Sequence, residues 1–188
     1  MRVYMKKTIL VDQDNTLTDF NEATARYMGK LYGWKGRLEK EDVTEYNILR
    51  VMYPHLPDTK ITEMFEELFN APDYWASMKP ISGCLETMEE LYDRYEVFIV
   101  TKPWPTSKNC IPEKIEWTSK YLPFFDISRL IFCAHKHLLH GDIMIDDSPV
   151  YLASSNCEIT IALKYPYNEE AEATYKVDNW QEIRELLL

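Results

Sequence analysis

The chain predicts an α/β fold, a doubly wound parallel sheet with a small inserted helical cap, and three observations carry that prediction. Short apolar runs of strand length recur along it without polar alternation, as in strands buried on both faces. Two of them, Thr8-Ile-Leu-Val11 and Ile143-Met-Ile145, deliver pairs of carboxylates at their carboxyl ends, where open α/β sheets put their chemistry. The first two runs also stand much further apart than the dozen or so residues that one crossover requires, so the excess must be an inserted subdomain.

Taken in order, strands are predicted near 8–12, 96–101, 130–133, 143–146 and 159–163. Between the first two, residues 23–32, 43–52 and 61–69 show apolar spacing near the helical period, punctuated by Pro54, Pro57 and Pro72. After Gly83, the series Leu85, Met88, Leu91 and Tyr92 gives an amphipathic helix that packs back on the sheet. A helix is expected before the strand near 130, and a short one after the strand near 143. Asn179 with Glu182 has the pattern of a capping box for a terminal helix over 180–188. The resulting division is a core of residues 1–19 and 80–188 and a helical cap of residues 20–79.

Composition narrows the function classes. The 188 residues are the size of one ordinary domain with room for a small insertion. A formal net charge of −10 repels a polyphosphate backbone, which argues against a nucleic-acid polymer as partner but leaves a small anionic substrate possible. Cys84, Cys110, Cys133 and Cys157 form no Cys-x-x-Cys pair and read as buried free thiols. The N-terminal Met1-Arg-Val-Tyr-Met-Lys-Lys7 lacks a signal-peptide apolar stretch and no run approaches a membrane span, so a soluble cytoplasmic protein is expected.

The chemistry-bearing clusters are Asp12-Gln-Asp14-Asn-Thr16, Thr101-Lys102 after Val97-Phe-Ile-Val100, Lys136, and Asp146-Asp147-Ser148. Once the chain turns after a strand, the second of two carboxylates one residue apart can swing over the first, which suits a nucleophile and a separate acid/base. In this order and at these strand ends the clusters resemble the motifs of the haloacid dehalogenase (HAD) superfamily. The segments Asp12–Phe20, Tyr74-Trp75 through Pro80-Ile-Ser-Gly83, and Lys136 ahead of Gly141-Asp-Ile-Met-Ile-Asp-Asp147 are similar to the 5'(3')-deoxyribonucleotidase family in particular. The chain departs from that pattern at Lys102, where relatives carry a small hydroxyl residue, and at Asn15-Thr16, where they carry Gly-Val.

The resemblance implies a magnesium-dependent phosphomonoesterase that hydrolyses nucleoside monophosphates, deoxyribonucleotides above all, through an aspartyl-phosphate. Asp12 is then the nucleophile and Asp14 the acid/base, and the Asp14 main-chain carbonyl joins Asp12 as a metal ligand. Magnesium suits such a hard oxygen set. Asp147 takes the part of the third protein ligand and Asp146 holds a metal-bound water or Lys136, though their order stays open. Thr101 would donate to a phosphate oxygen, and Lys136 would offset charge on the phosphate and on Asp12. Lys102 either contacts phosphate or extends to solvent.

Substrate choice is expected from aromatics beside the active-site ends of the elements: Phe20, Tyr74, Trp75 and Trp104. Stacking on a base is worth ~1–3 kcal/mol per platform. Core packing is the competing reading for each of them, save that the offset of Phe20 from Asp12 matches the family's base-stacking phenylalanine. Trp34 and Trp117 are assigned to packing, and His135, His137 and His140 to loop or surface positions. The rival functions are a HAD phosphatase or phosphotransferase acting on another small phosphate ester, and a catalytically silent HAD-fold binding protein.

Overall fold

A computed structural model describes residues 6–188; most of the basic N-terminal run lies outside the described residues. Six parallel strands, β1 (Thr8–Val11), β2 (Glu96–Thr101), β3 (Leu130–Phe132), β4 (Ile143–Asp146), β5 (Ile159–Leu163) and β6 (Tyr175–Val177), form one sheet in the order β3-β2-β1-β4-β5-β6. Strand order reverses between β1 and β4, so the two carboxylate-bearing strands lie side by side at the switch point. Ile9, Val11, Val97, Ile99, Ile145 and Ile161 are fully buried, which is why those strands read as unbroken apolar runs. β6 went unpredicted because it is a three-residue edge strand in which only Val177 is buried.

Helices α1 (Phe20–Tyr32), α2 (Ile48–Met52) and α3 (Asp58–Phe69) fill the stretch between β1 and β2. α1 begins where the Asp19 carboxylate accepts from Glu22 N, and it ends at Gly33 in the left-handed region, φ 67°. The helix expected over 43–52 is shorter: Val43 is buried but the chain stays non-helical until Asn47. There the apolar spacing marked burial, not helix. The ends of the insertion run side by side, since Asp19 N donates to Lys79 O (2.8 Å) and Ile81 N to Leu17 O (2.9 Å). One hydrophobic cluster passes unbroken from Ile9 and Val11 of the sheet to Met28, Leu49, Ile61 and Met64 of the insertion. The helices are thus packed onto the sheet as part of its core.

α4 (Cys84–Arg94), α5 (Cys110–Tyr121), α6 (Pro149–Ala153) and α7 (Trp180–Leu187) complete the layers. Asn179 caps α7 as expected, accepting from Glu182 N at 3.1 Å, but Glu182 reaches back to Asp178 N instead of closing the box on Asn179. All four cysteines are free, Cys84 and Cys110 buried, Cys133 and Cys157 only partly so. No helix among the described residues is long and apolar enough to cross a membrane.

Candidate active site

The carboxyl ends of β1 and β4 open onto a cavity of about 460 Å³, within the usual range for small-molecule sites. Asp12, Asp14, Asp146 and Asp147 line its sheet side. Phe20, Phe65, Phe69, Trp75 and Trp104 give it an apolar wall. The structure therefore brings together most of the residues singled out from sequence, and it separates three from the cavity surface.

Lys136, Thr101 and Tyr74 are fully buried and do not line the cavity. Lys136 Nζ donates to Asp12 Oδ1 and, at 2.7 Å, to Asp146 Oδ2. Burial alone would lower its pKa, but the two carboxylates outweigh burial and hold the ammonium above its ordinary range. Thr101 Oγ1 accepts from a lysine beneath the cavity, which leaves its own O–H as the group expected to donate to phosphate. The Tyr74 hydroxyl meets Thr24 Oγ1 at 2.7 Å, and its ring packs edge-on against Phe20 and Trp75. Tyr74 thus supports the aromatic wall from behind, which corrects its reading as a substrate contact.

The lysine bonded to Thr101 is Lys114 on α5, which the sequence reading missed. Its Nζ lies 2.6 Å from Thr101 Oγ1 and 2.5 Å from Asp14 Oδ2, and 4.8 Å from the centre of the Trp75 ring. A signal was present: Cys110, Lys114, Trp117 and Thr118 are the buried residues of α5, so a lysine occupies the inward stripe of an amphipathic helix. Each catalytic candidate on the first loop thus has its own ammonium, Lys136 for Asp12 and Lys114 for Asp14.

The remaining geometry concerns charge. Asp12, Asp146 and Asp147 offer carboxylate oxygens within 4.8 Å of one another, and all three residues are buried. Burial, with the neighbouring carboxylates adding, raises Asp146 to about 6 against the pull of Lys136, and raises Asp147 well above the usual carboxylate range. Burial and Asp12 likewise raise Asp14, while Lys114 opposes. Three carboxylates against one ammonium, all with hard oxygen donors, fit a divalent cation. Asp146 has both oxygens engaged, one by Lys136 and one by Ser148 N at 2.8 Å.

On the other side of the cluster, Tyr167 donates to Asp147 Oδ2, and Asn168 Nδ2 donates to the Asp147 carbonyl at 2.7 Å. Asn15 adopts the left-handed conformation, φ 55°, and its carbonyl accepts from Tyr165 OH at 3.0 Å. Lys102 lines the cavity with its ammonium 6.0 Å from the Trp104 ring centre. Trp104 Nε1 donates to Glu66 Oε1 at 3.3 Å, tying the loop after β2 to α3.

Residues 6–188 match the family model described as 5' nucleotidase, deoxy (pyrimidine), cytosolic type C protein. The chain is 27% identical over 186 residues to a 5'(3')-deoxyribonucleotidase of Bacillus subtilis, covering 98% of this chain and all of that one. It is 29% identical over 147 residues to the human cytosolic-type 5'(3')-deoxyribonucleotidase, covering 74% of this chain and 69% of the relative. Its fold matches that of a magnesium-bound HAD-hydrolase from Bacillus subtilis with a TM-score of 0.60 at 15% identity, over 97% of this chain and 99% of the other.

Proposed function

Since this chain belongs to the 5' nucleotidase, deoxy (pyrimidine), cytosolic type C family and is a HAD-superfamily phosphatase, we propose that it hydrolyses deoxyribonucleoside monophosphates through an aspartyl-phosphate on Asp12, with magnesium as cofactor. The observation that carries this reading is the separate pairing of the two loop carboxylates, Asp12 with Lys136 and Asp14 with Lys114, on the sheet side of one aromatic-walled cavity. Separate partners let two carboxylates from one turn perform different tasks.

In the first half-reaction an Asp12 carboxylate oxygen attacks phosphorus in line, a P–O bond to Asp12 forms, and the ester P–O bond breaks. Asp14 gives a proton to the leaving nucleoside alkoxide. In the second, Asp14 takes a proton from water as that water attacks phosphorus, and the Asp12–phosphorus bond breaks to release inorganic phosphate. Lys136 holds the Asp12 carboxylate in one orientation, and Lys114 does the same for Asp14. A magnesium ion held by Asp12, Asp147 and, as the family resemblance implies, the Asp14 carbonyl would supply positive charge to the phosphoryl oxygens. Lys102 adds a cation at the cavity surface for the incoming phosphate.

The wall formed by Phe20, Phe65, Phe69, Trp75 and Trp104 supports a leaving nucleoside that carries a flat aromatic base. The test is a substrate panel with magnesium: deoxyribonucleotides, ribonucleotides, sugar phosphates and an aryl phosphate. Deoxyribonucleotides are expected to have the highest kcat/KM. A sugar phosphate that exceeds every deoxyribonucleotide would overturn the substrate while leaving the phosphatase chemistry in place.

A further inference from the structure

The turn that follows β5, Tyr165-Pro-Tyr-Asn168, belongs to none of the motifs, yet it touches both carboxylate-bearing loops. Asn168 is 1% exposed and its amide is fully used: Nδ2 donates to the Asp147 and Leu163 carbonyls, and Oδ1 accepts from Tyr165 N at 2.8 Å. The Tyr165 hydroxyl reaches the Asn15 carbonyl. The Tyr165 and Tyr167 rings are stacked, 5.2 Å apart and 7° from parallel. Against Tyr167, Tyr46 of the inserted segment packs edge-on at 5.5 Å and 84°. The phenol of Tyr167 therefore sits between two aromatic neighbours and ends on Asp147 Oδ2.

A carboxylate held at one oxygen cannot rotate about its last torsion without breaking that bond, so its other oxygen has a fixed direction. The Asp147 main chain is pinned as well, through Asn168. Partners behind a ligating carboxylate set its orientation and weigh on metal affinity. We propose that Tyr167 is a positioning residue that fixes the Asp147 carboxylate for a divalent cation, and that Tyr46 holds Tyr167 in place from the inserted segment. The inference rests on the metal reading given above and assigns the residues that tune it.

Calorimetric titration of the metal-free protein with magnesium chloride, without substrate, tests it. Tyr167→Phe keeps the ring stack and removes only the hydroxyl, and its magnesium affinity is expected to fall about 10- to 100-fold. Tyr46→Leu should weaken binding by a smaller factor in the same direction; because Tyr46 also lines the cavity, only metal binding is read for that variant. A structural role alone would not give two further results expected of Tyr167→Phe: melting in chelator within a few degrees of wild type, and a kcat restored to within about twofold by saturating magnesium. Equal affinities of wild type and Tyr167→Phe would overturn the proposal and leave the metal reading intact. Absence of binding by the wild type would overturn both, and a kcat deficit that magnesium does not rescue would overturn the positioning role.

Discussion

The sheet wall and the helical wall of the cavity are held together by different forces. On the sheet side Asp12, Asp14 and Asp146 each meet a lysine that is almost wholly buried, and leaving such a charge with no counter-charge costs about 3–5 kcal/mol. On the helical side Phe65, Phe69, Trp75 and Trp104 pack against one another at centroid distances of 4.8 to 6.5 Å. Such aromatic pairs contribute about 0.5–1.5 kcal/mol each beyond the area they bury. The sheet wall is therefore a set of interlocked charges in which one change alters the chemistry. The helical wall is a set of graded contacts in which one change alters fit.

The comparison breaks most sharply at Asp12. Asp12→Asn is expected to lower turnover of a deoxyribonucleotide by about four orders of magnitude or more, since a neutral amide does not form the acyl-phosphate. Lys136 keeps its second partner Asp146, so thermal melting should change little; turnover within tenfold of wild type would remove Asp12 from the nucleophile's role. Next comes Lys114→Met, which frees Asp14 and is expected to cost about 10²–10³ in kcat for nucleotides. An aryl phosphate with an acidic phenol as leaving group needs no proton, so its kcat should fall less. Equal losses on both substrates would mean that Lys114 does not act through the acid.

On the helical wall, Phe20→Ala should lower kcat/KM for nucleotides by about one to two orders of magnitude, or ~1–3 kcal/mol, mainly through KM. Hydrolysis of the aryl phosphate would then suffer less, and a loss that fell equally on both substrates would reduce Phe20 to packing. Lys102→Met is expected to have the smallest effect, a rise in KM of about three- to tenfold with kcat unchanged, because an exposed ammonium in water contributes little. Initial-rate measurements over substrate concentration decide it, and an unaltered KM would assign Lys102 to solvent.

What was legible in the sequence follows from the same contrast. Strands buried on both faces and their terminal carboxylates stand out because burial and catalysis both impose residue type on contiguous positions, as in Ile9 to Asp12 and Ile143 to Asp147. Lys114 was missed because its partner Asp14 lies 100 positions away, although its place among Cys110, Trp117 and Thr118 marked it as inward-facing. Tyr74 and Trp75 are neighbours in a turn, where no period says which of two adjacent aromatics faces the cavity. Tyr165 and Tyr167 were invisible for the same reason as Lys114: their contacts to Asn15 and Asp147 close over 150 and 20 positions, and nothing local requires them.

Next to Lys114 on α5, Glu113 accepts from three amides of one turn of the returning chain, Asp73 N at 3.0 Å, Trp75 N at 2.9 Å and Ala76 N at 3.4 Å. Three amide protons thus share one carboxylate, and exchange at each requires that carboxylate to let go. Their hydrogen exchange should rise and fall in concert, at the rate of one opening event and in step with the first turns of α5. The Trp75 side chain that walls the cavity and the Lys114 ammonium that steadies Asp14 hang from the two sides of this junction. Any fluctuation that loosens the cavity wall at Trp75 loosens the hold on Asp14 in the same instant.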